Sequence, residues 1–396
     1  MIILKVAHAI LTFFLHLERR FEPFFRPCAN WLLRDPSRVV IQFFYNLGRK
    51  NYGLALAEER IDPDEEASTQ SMIDTMREHL REDFPPGTVE RAGNTKTHGL
   101  MKATFTVHDG LPANLRKGVF AEPKTYRCYV RFSGPGPHVE PDIDDVGFIS
   151  IGVKLLGVPG EKLMDEEKFT QDFTSVCTPT FVTPNTRANA RLQIWSRRHL
   201  PVFYFFDWTA PGGMHLLDFL MQGLWNETQY NPLGHTFFSC VPYLMGEGQA
   251  MKYSFRSLTK VHRKIPRVPF RPPDNYLRDN MVKTLSEKDV EFHMEVQIQT
   301  DPHRMPIEDA GVYWSTRLSP RVPVATLRIP KQKFDSPKQL AFARNLRLNP
   351  WHCIKEHRPL GNQSRARHRM YQELAIFRQA QNQEQHVEPT GDEVFD

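Results

Sequence analysis

Near the C-terminus the chain reads NQSRARHRMYQELAIFR, residues 362–378. On a helix, positions four and seven apart share a face. Arg367, Tyr371 and Arg378 therefore project together. A guanidinium one turn before a phenol can donate to its oxygen and favour the phenolate. A phenolate is a hard anion suited to ferric iron, and a second arginine on that face can meet a carboxylate. The same spacing also fits an ordinary amphipathic helix with surface Arg and Tyr.

Two further segments carry polar groups beside apolar ones. In NTKTHGLMKATFTV (94–107), His98 stands before a glycine and an alternating strand, where it can point into a cavity. A lone histidine among 16 is more often structural, so its position decides little. In YVRFS (129–133), Arg131 alternates with Val130 and Phe132. Pointing inward it needs an anion, because a buried unpaired charge is costly; pointing outward it needs only water.

The elements that must position these residues follow from periodicity. Residues 64–83 repeat Ile73, Met76 and Leu80 at helical steps, and DFPPG (83–87) stops them. Short alternating runs at 102–107, 126–133, 148–158, 248–258, 291–300 and 324–330 predict strands of an antiparallel barrel or sandwich. A helical insert at 216–224 interrupts them, and a helix over 364–380 carries Tyr371. The division is a helical segment 1–85, a barrel 86–330, a loop and Tyr-bearing helix 331–380, and a loose polar tail 381–396.

The N-terminus, MIILKVAHAILTFFLHLERRFEPFF, is too short in apolar run to span a bilayer. At helical spacing Ile2, Val6, Ile10, Phe13, Phe14 and Leu17 share a face. That face suits either a membrane surface or packing on the chain's own core or a partner subunit.

Composition sets the outer limits. With 40% hydrophobic residues in 396, the chain can bury a sizeable core. A net charge of +5, from 51 basic and 46 acidic residues, is too mild for a nucleic-acid binder, so no nucleic-acid partner is expected. Five widely spaced cysteines without CxxC argue against a disulfide framework and for a reducing, cytoplasmic setting, peripheral at the membrane if 1–25 touches lipid.

Taken in order, these segments resemble the heme catalase family over roughly residues 93–378. Thr97-His98-Gly99 looks like its distal-His segment, and YVRFS like the strand whose Arg contacts a heme propionate. Gly152-Val153-Lys154-Leu155, DFTSVCTPTF (172–181), Gly234-His235-Thr236-Phe237 and Gln339-Leu340-Ala341-Phe342 are similar to further family segments. Arg367 and Tyr371 match its proximal Arg-x-x-x-Tyr pair. The resemblance implies an α+β fold, a closed antiparallel β-barrel with flanking helices. It implies heme b between the barrel face carrying His98 and the helix carrying Tyr371. Tyr371 would ligate iron, Arg131 and Arg378 would hold propionates, Phe148 would pack near the ring, and His98, tuned by Thr97, would be the distal acid/base.

Two positions depart from the catalase pattern. The distal asparagine falls at Val176 or Cys177, and neither offers an amide. Thr97 stands where catalases carry Val, as in the catalase-related allene oxide synthases. The expectation is therefore an enzyme acting on a lipid hydroperoxide, as a homo-oligomer. The alternatives are a small catalase or peroxidase using hydrogen peroxide, and a non-catalytic heme- or lipid-binding protein.

Overall fold

The computed structural model describes residues 2–134, 136–145 and 147–395. The N-terminal region is helical: α1 (Ile2–Ala29), a π-helical turn (Asn30–Arg34) and α2 (Asp35–Leu47). Its polar side grips the body. Glu22 is buried between Arg26 and Arg34 (Arg34 Nη1 to Oε1, 2.7 Å), and Thr228 Oγ1 donates to the Arg19 carbonyl at 2.6 Å. Its apolar side stays open: Phe13, Phe14 and Phe24 are 63, 59 and 64% exposed. Packing on the chain's own core is thus not the fate of that face. No described helix is long and apolar enough to cross a membrane.

Next comes α3 (Glu65–Asp83), with Glu65 and Glu66 in its first turn, where acidic residues complement the helix dipole. The chain then enters the sheet through β1 (Thr97–Val107), β2 (Thr125–Ser133), β3 (Ser150–Leu156) and β4 (Thr170–Val176). Helices α4 (Thr186–Arg197) and α5 (Leu216–Trp225) follow. Asn185 caps α4, its side-chain oxygen accepting from Ala188 N at 3.0 Å. The second half of the sheet is β5 (Thr236–Phe238), β6 (Tyr243–Leu244), β7 (Ala250–Ser257), β8 (Val290–Ile298) and β9 (Val322–Ile329), with α6 (Tyr276–Glu287) between β7 and β8. Helices α7 (Pro337–Asn345) and α8 (Asn362–Gln381) end the fold.

Among the described residues the strands form one antiparallel sheet, ordered β5-β4-β3-β2-β1-β9-β8-β7-β6. Strand β5 pairs with both β4 and β7, so the sheet closes on itself and only β6 lies outside the ring. A closed ring has no free edge to aggregate. The inside is filled. Phe105, Phe132, Phe173, Phe237, Phe255 and Phe292 are all fully buried there.

The expected barrel with flanking helices is the observed architecture. Strands β4, β5 and β6 and helices α4, α6 and α7 were not predicted. The tail is not loose: Phe395 packs on Tyr129 and Phe342, Arg127 Nη1 meets Asp392 at 2.7 Å, and Glu388 accepts from the backbone of Lys168 and Phe169. Aromatic and ionic contacts with the barrel wall override its polar composition.

Candidate active site

A cavity of about 830 Å³ lies between the outer face of β2, β3 and β4 and the helices α3, α4 and α8. That volume is in the usual range of ligand sites, roughly 300–1,000 Å³. Its floor is made by register. Ser133 pairs with Ser150, and Ser150 with Val176; Arg131 pairs with Gly152, and Gly152 with Thr174. Successive side chains on a strand point to opposite faces, so these two rows line the floor while Val130 and Phe132 fill the barrel. Gly152 keeps the centre flat, since a Cβ there would come within 2.7 Å of Leu348 Cδ1.

The roof is α8. It starts after Gly361, whose φ of +88° and whose approach to the Ile307 carbonyl (2.5 Å from a built Cβ) leave room only for glycine. On its outer side Arg365 is clamped by Glu59, Glu65 and Glu308. With that side anchored, Arg367, Tyr371, Leu374 and Arg378 face the cavity. Arg367 is buried with its guanidinium 5.0 Å from the Phe181 ring centre. Burial opposes its charge, but the oxygens of Tyr371 and Tyr243 more than compensate and raise its pKa.

Besides Arg367, the cavity is lined by Arg19 and Arg347 and by a group of three further guanidiniums, Arg91, Arg131 and Arg378. The hydrogen bonds of these three go to neutral groups. Arg131 donates to Thr97 Oγ1 (2.7 Å) and the Asn94 carbonyl (2.8 Å), Arg91 to the Ala343 carbonyl (3.0 Å), Arg378 to the Asn345 carbonyl (3.4 Å). The buried Nε atoms of Arg91 and Arg378 have no partner among the described residues. Burial and the nearby Arg378 push Arg131 down to about 9. Burial and mutual repulsion hold Arg91 and Arg378 well below the ordinary arginine range. Glu90 offsets part of this repulsion, and three buried guanidiniums gathered on one cavity favour an anionic ligand.

Of the residues singled out by sequence, Arg131, Phe148, Arg367, Tyr371 and Arg378 are brought together on this cavity. Val176 lies on the floor as an apolar group, while Cys177 Sγ instead accepts from Ile149 N at 3.2 Å. Thr97 and His98 sit behind the cavity wall and do not line it. The cause is a bulge: Thr97 pairs with Ser133 and Gly99 with Phe132, which leaves His98 as the extra residue. A bulge re-aims its side chain. The imidazole is 1% exposed, with Nδ1 3.7 Å from Asp142 Oδ1. Its Nε2 has no partner among the described residues and lies beside Gly134, where a built Cβ would also meet Asp145. Burial, with Lys96 and Arg278 nearby, holds it neutral, well below the usual imidazole range. The Thr97 hydroxyl oxygen accepts from Arg131, and no hydrogen bond joins Thr97 to His98 among the described residues.

Sequence reasoning missed Arg91, Asp145 and the imidazoles of His79, His138 and His199, all on the cavity wall. Only tertiary closure brings them there, and apart from His79 and Asp83, one helical turn apart, no local pattern marks them.

Among solved structures the chain is similar to a fungal catalase (TM-score 0.47, 12% identity, 72% of this chain and 58% of that one). It is similar to a bacterial catalase (0.49, 15%, 76% and 59%) and to catalase A from Saccharomyces cerevisiae (0.49, 12%, 76% and 63%). The chain thus spans 58 to 63% of the length of these catalases. No protein-family model matches the sequence, and no curated protein matches it.

Proposed function

We propose that this chain binds heme b through Tyr371 and acts on an organic hydroperoxide of fatty-acid type, cleaving or rearranging it. The observation that carries this is the pairing of Tyr371 and Arg367 on a cavity that also gathers three guanidiniums without a carboxylate partner. The residues fit the group. Tyr371 would offer iron its phenol oxygen with Arg367 on the same helix face, and Arg91, Arg131 and Arg378 would suit the propionates. The flat floor at Gly152 suits a planar ring. When bound, heme supplies an iron that can break the O–O bond of a hydroperoxide.

The chain's own residues do the rest. Leu15, Leu192, Val202, Phe205 and Phe219 give the cavity an apolar side suited to an alkyl chain. His98 is neutral and can hold or release a proton at Nε2, which lies beside Gly134 just behind the wall. Helix α1 contributes His8, Leu15 and Arg19 to the same cavity while its phenylalanines stay exposed. That continuity supports a peripheral membrane contact through residues 1–25, with substrate arriving from the lipid.

The test is a heme spectrum of the purified chain, then parallel assays with hydrogen peroxide and a fatty acid hydroperoxide. Heme binding with rapid loss of the hydroperoxide and no oxygen release is expected. A chain that takes up no heme sinks the proposal, and vigorous oxygen release from hydrogen peroxide replaces it with a small catalase. The burial of His98 behind the wall favours one second reading, a heme- or lipid-binding protein without turnover. In that case heme binds and neither peroxide is consumed.

A further inference from the structure

At the rim of the cavity, outside the arginine and tyrosine groups, four ligand-type side chains meet. His79 and Asp83 lie one helical turn apart at the end of α3, His138 follows β2, and His199 follows α4. Asp83 is the centre. Its Oδ2 is 3.3 Å from His79 Nε2 and 3.4 Å from His138 Nδ1, and its Oδ1 is 3.6 Å from His199 Nε2. We propose that His79, Asp83 and His138 bind one divalent transition-metal ion of the zinc class, with His199 as fourth ligand.

The distances carry it. Donor atoms at the corners of a tetrahedron with bonds of about 2.0–2.1 Å lie about 3.3–3.4 Å apart. The donor atoms of His79, Asp83 and His138 all lie within 4.8 Å of one another. The rings are gathered to match, with centroids 5.4 to 5.8 Å apart. These atoms are not spent on hydrogen bonds. Both ring nitrogens of His79, whose side chain is 6% exposed, and Asp83 Oδ2 have none among the described residues. Burying three unmatched polar atoms at one point is costly unless an ion satisfies them.

A second carboxylate–histidine group makes the contrast. Glu167, Asp172 and His352 are as close together, but Lys154 Nζ already sits among them, 2.8 Å from Asp172 Oδ1. That site has its cation, whereas no lysine or arginine forms an ion pair with Asp83 among the described residues. A bound ion would join the end of α3, the segment after β2 and the end of α4, three pieces of the cavity mouth.

The experiment uses the untagged full-length chain, stripped with chelator and titrated with Zn²⁺ by calorimetry, with elemental analysis of the product. One zinc per chain is expected, with a rise in Tm on loading. His79→Ala, Asp83→Asn and His138→Gln should each weaken binding at least about tenfold, the loss that even an outer ligand partner can produce. His293→Gln, in another close imidazole pair (His108–His293 rings 5.5 Å apart), should leave it unchanged. His138, 31% exposed, can be replaced with little risk to folding. A stoichiometry well below one, or a folded His138→Gln chain that binds zinc as tightly as wild type, overturns the site. So does an equal loss in His293→Gln, which marks non-specific binding.

Discussion

A guanidinium buried without a carboxylate costs several kcal/mol, so a chain that keeps one uses it for something else. Arg378 is the cleanest case. It is 3% exposed, its hydrogen bond to the Asn345 carbonyl is long at 3.4 Å, and Arg91 repels it. If it awaits a heme propionate, Arg378→Met has two opposite effects. It raises the stability of the heme-free chain by ~1–2 kcal/mol, because an uncompensated charge is gone. It also weakens heme binding by about 10- to 100-fold, the worth of a charge-assisted hydrogen bond of ~1.5–3 kcal/mol. Denaturant melts of heme-free protein and heme titrations read the two separately. A loss of stability without a loss of heme affinity would mean that Arg378 is merely structural. Tyr371→Phe is the sharper change. It removes the only oxygen that Tyr371 can offer iron, so the spectrum of a ferric phenolate should vanish while the fold persists. An unaltered spectrum refutes the ligand assignment.

Helix α1 raises the question of what its open face touches. Its Glu22 and Arg26, with Arg34 of the following turn, form an ionic cluster that reaches Glu227 and the Thr228 carbonyl on the body, so turning the phenylalanines inward would break it. Each fully buried Phe is worth ~1.5–3 kcal/mol. The triple change Phe13→Ser, Phe14→Ser, Phe24→Ser should therefore cut co-sedimentation with phosphatidylcholine–phosphatidylserine vesicles at least tenfold, with the soluble fold unchanged by circular dichroism. No vesicle binding by wild type, together with a dimer that the triple change dissolves, assigns the face to a second copy instead.

The same scale explains what the residues alone could reveal. Helices α3, α5 and α8 and six strands were legible because each has its own period and its own stop. Strand β4 was not, because TQDFTSV is buried almost throughout and mixes polar with apolar residues, its Asp172 being held by Lys154 and His352. The Arg367–Tyr371–Arg378 face was legible because helical spacing is local. The place of His98 was not, because a bulge in β1 depends on its register with β2 and leaves no mark in THGLMK. Arg91 was invisible for a related reason: it lies in the irregular segment before β1, and only α7 and α8 make it part of the cavity.

Across the whole molecule, one buried ionic group ties the barrel to the approach of α8. Lys154 on β3, Glu167, Asp172 on β4 and His352 meet with no exposure, and His352 Nε2 reaches Glu166 at 2.7 Å. Burial and Lys154 act against a charge on His352, but the carboxylates of Asp172, Glu166 and Glu167 prevail and raise it to about 10. In the unfolded chain its value is about 6.5. The folded state therefore holds this proton where the unfolded chain has lost it. Its contribution is complete below pH 6.5 and is lost as pH rises toward 10. Many other groups also titrate, so the difference between wild type and His352→Gln isolates the effect. Urea melts at pH 6.5, 7.5 and 8.5 should show wild type more stable throughout, with the gap shrinking by on the order of 1 kcal/mol per pH unit. A gap that is constant or widens with pH means that His352 is neutral in the fold. The group would then be held by Lys154 alone, and the link between β4 and the segment leading to Tyr371 would be an ordinary hydrogen bond.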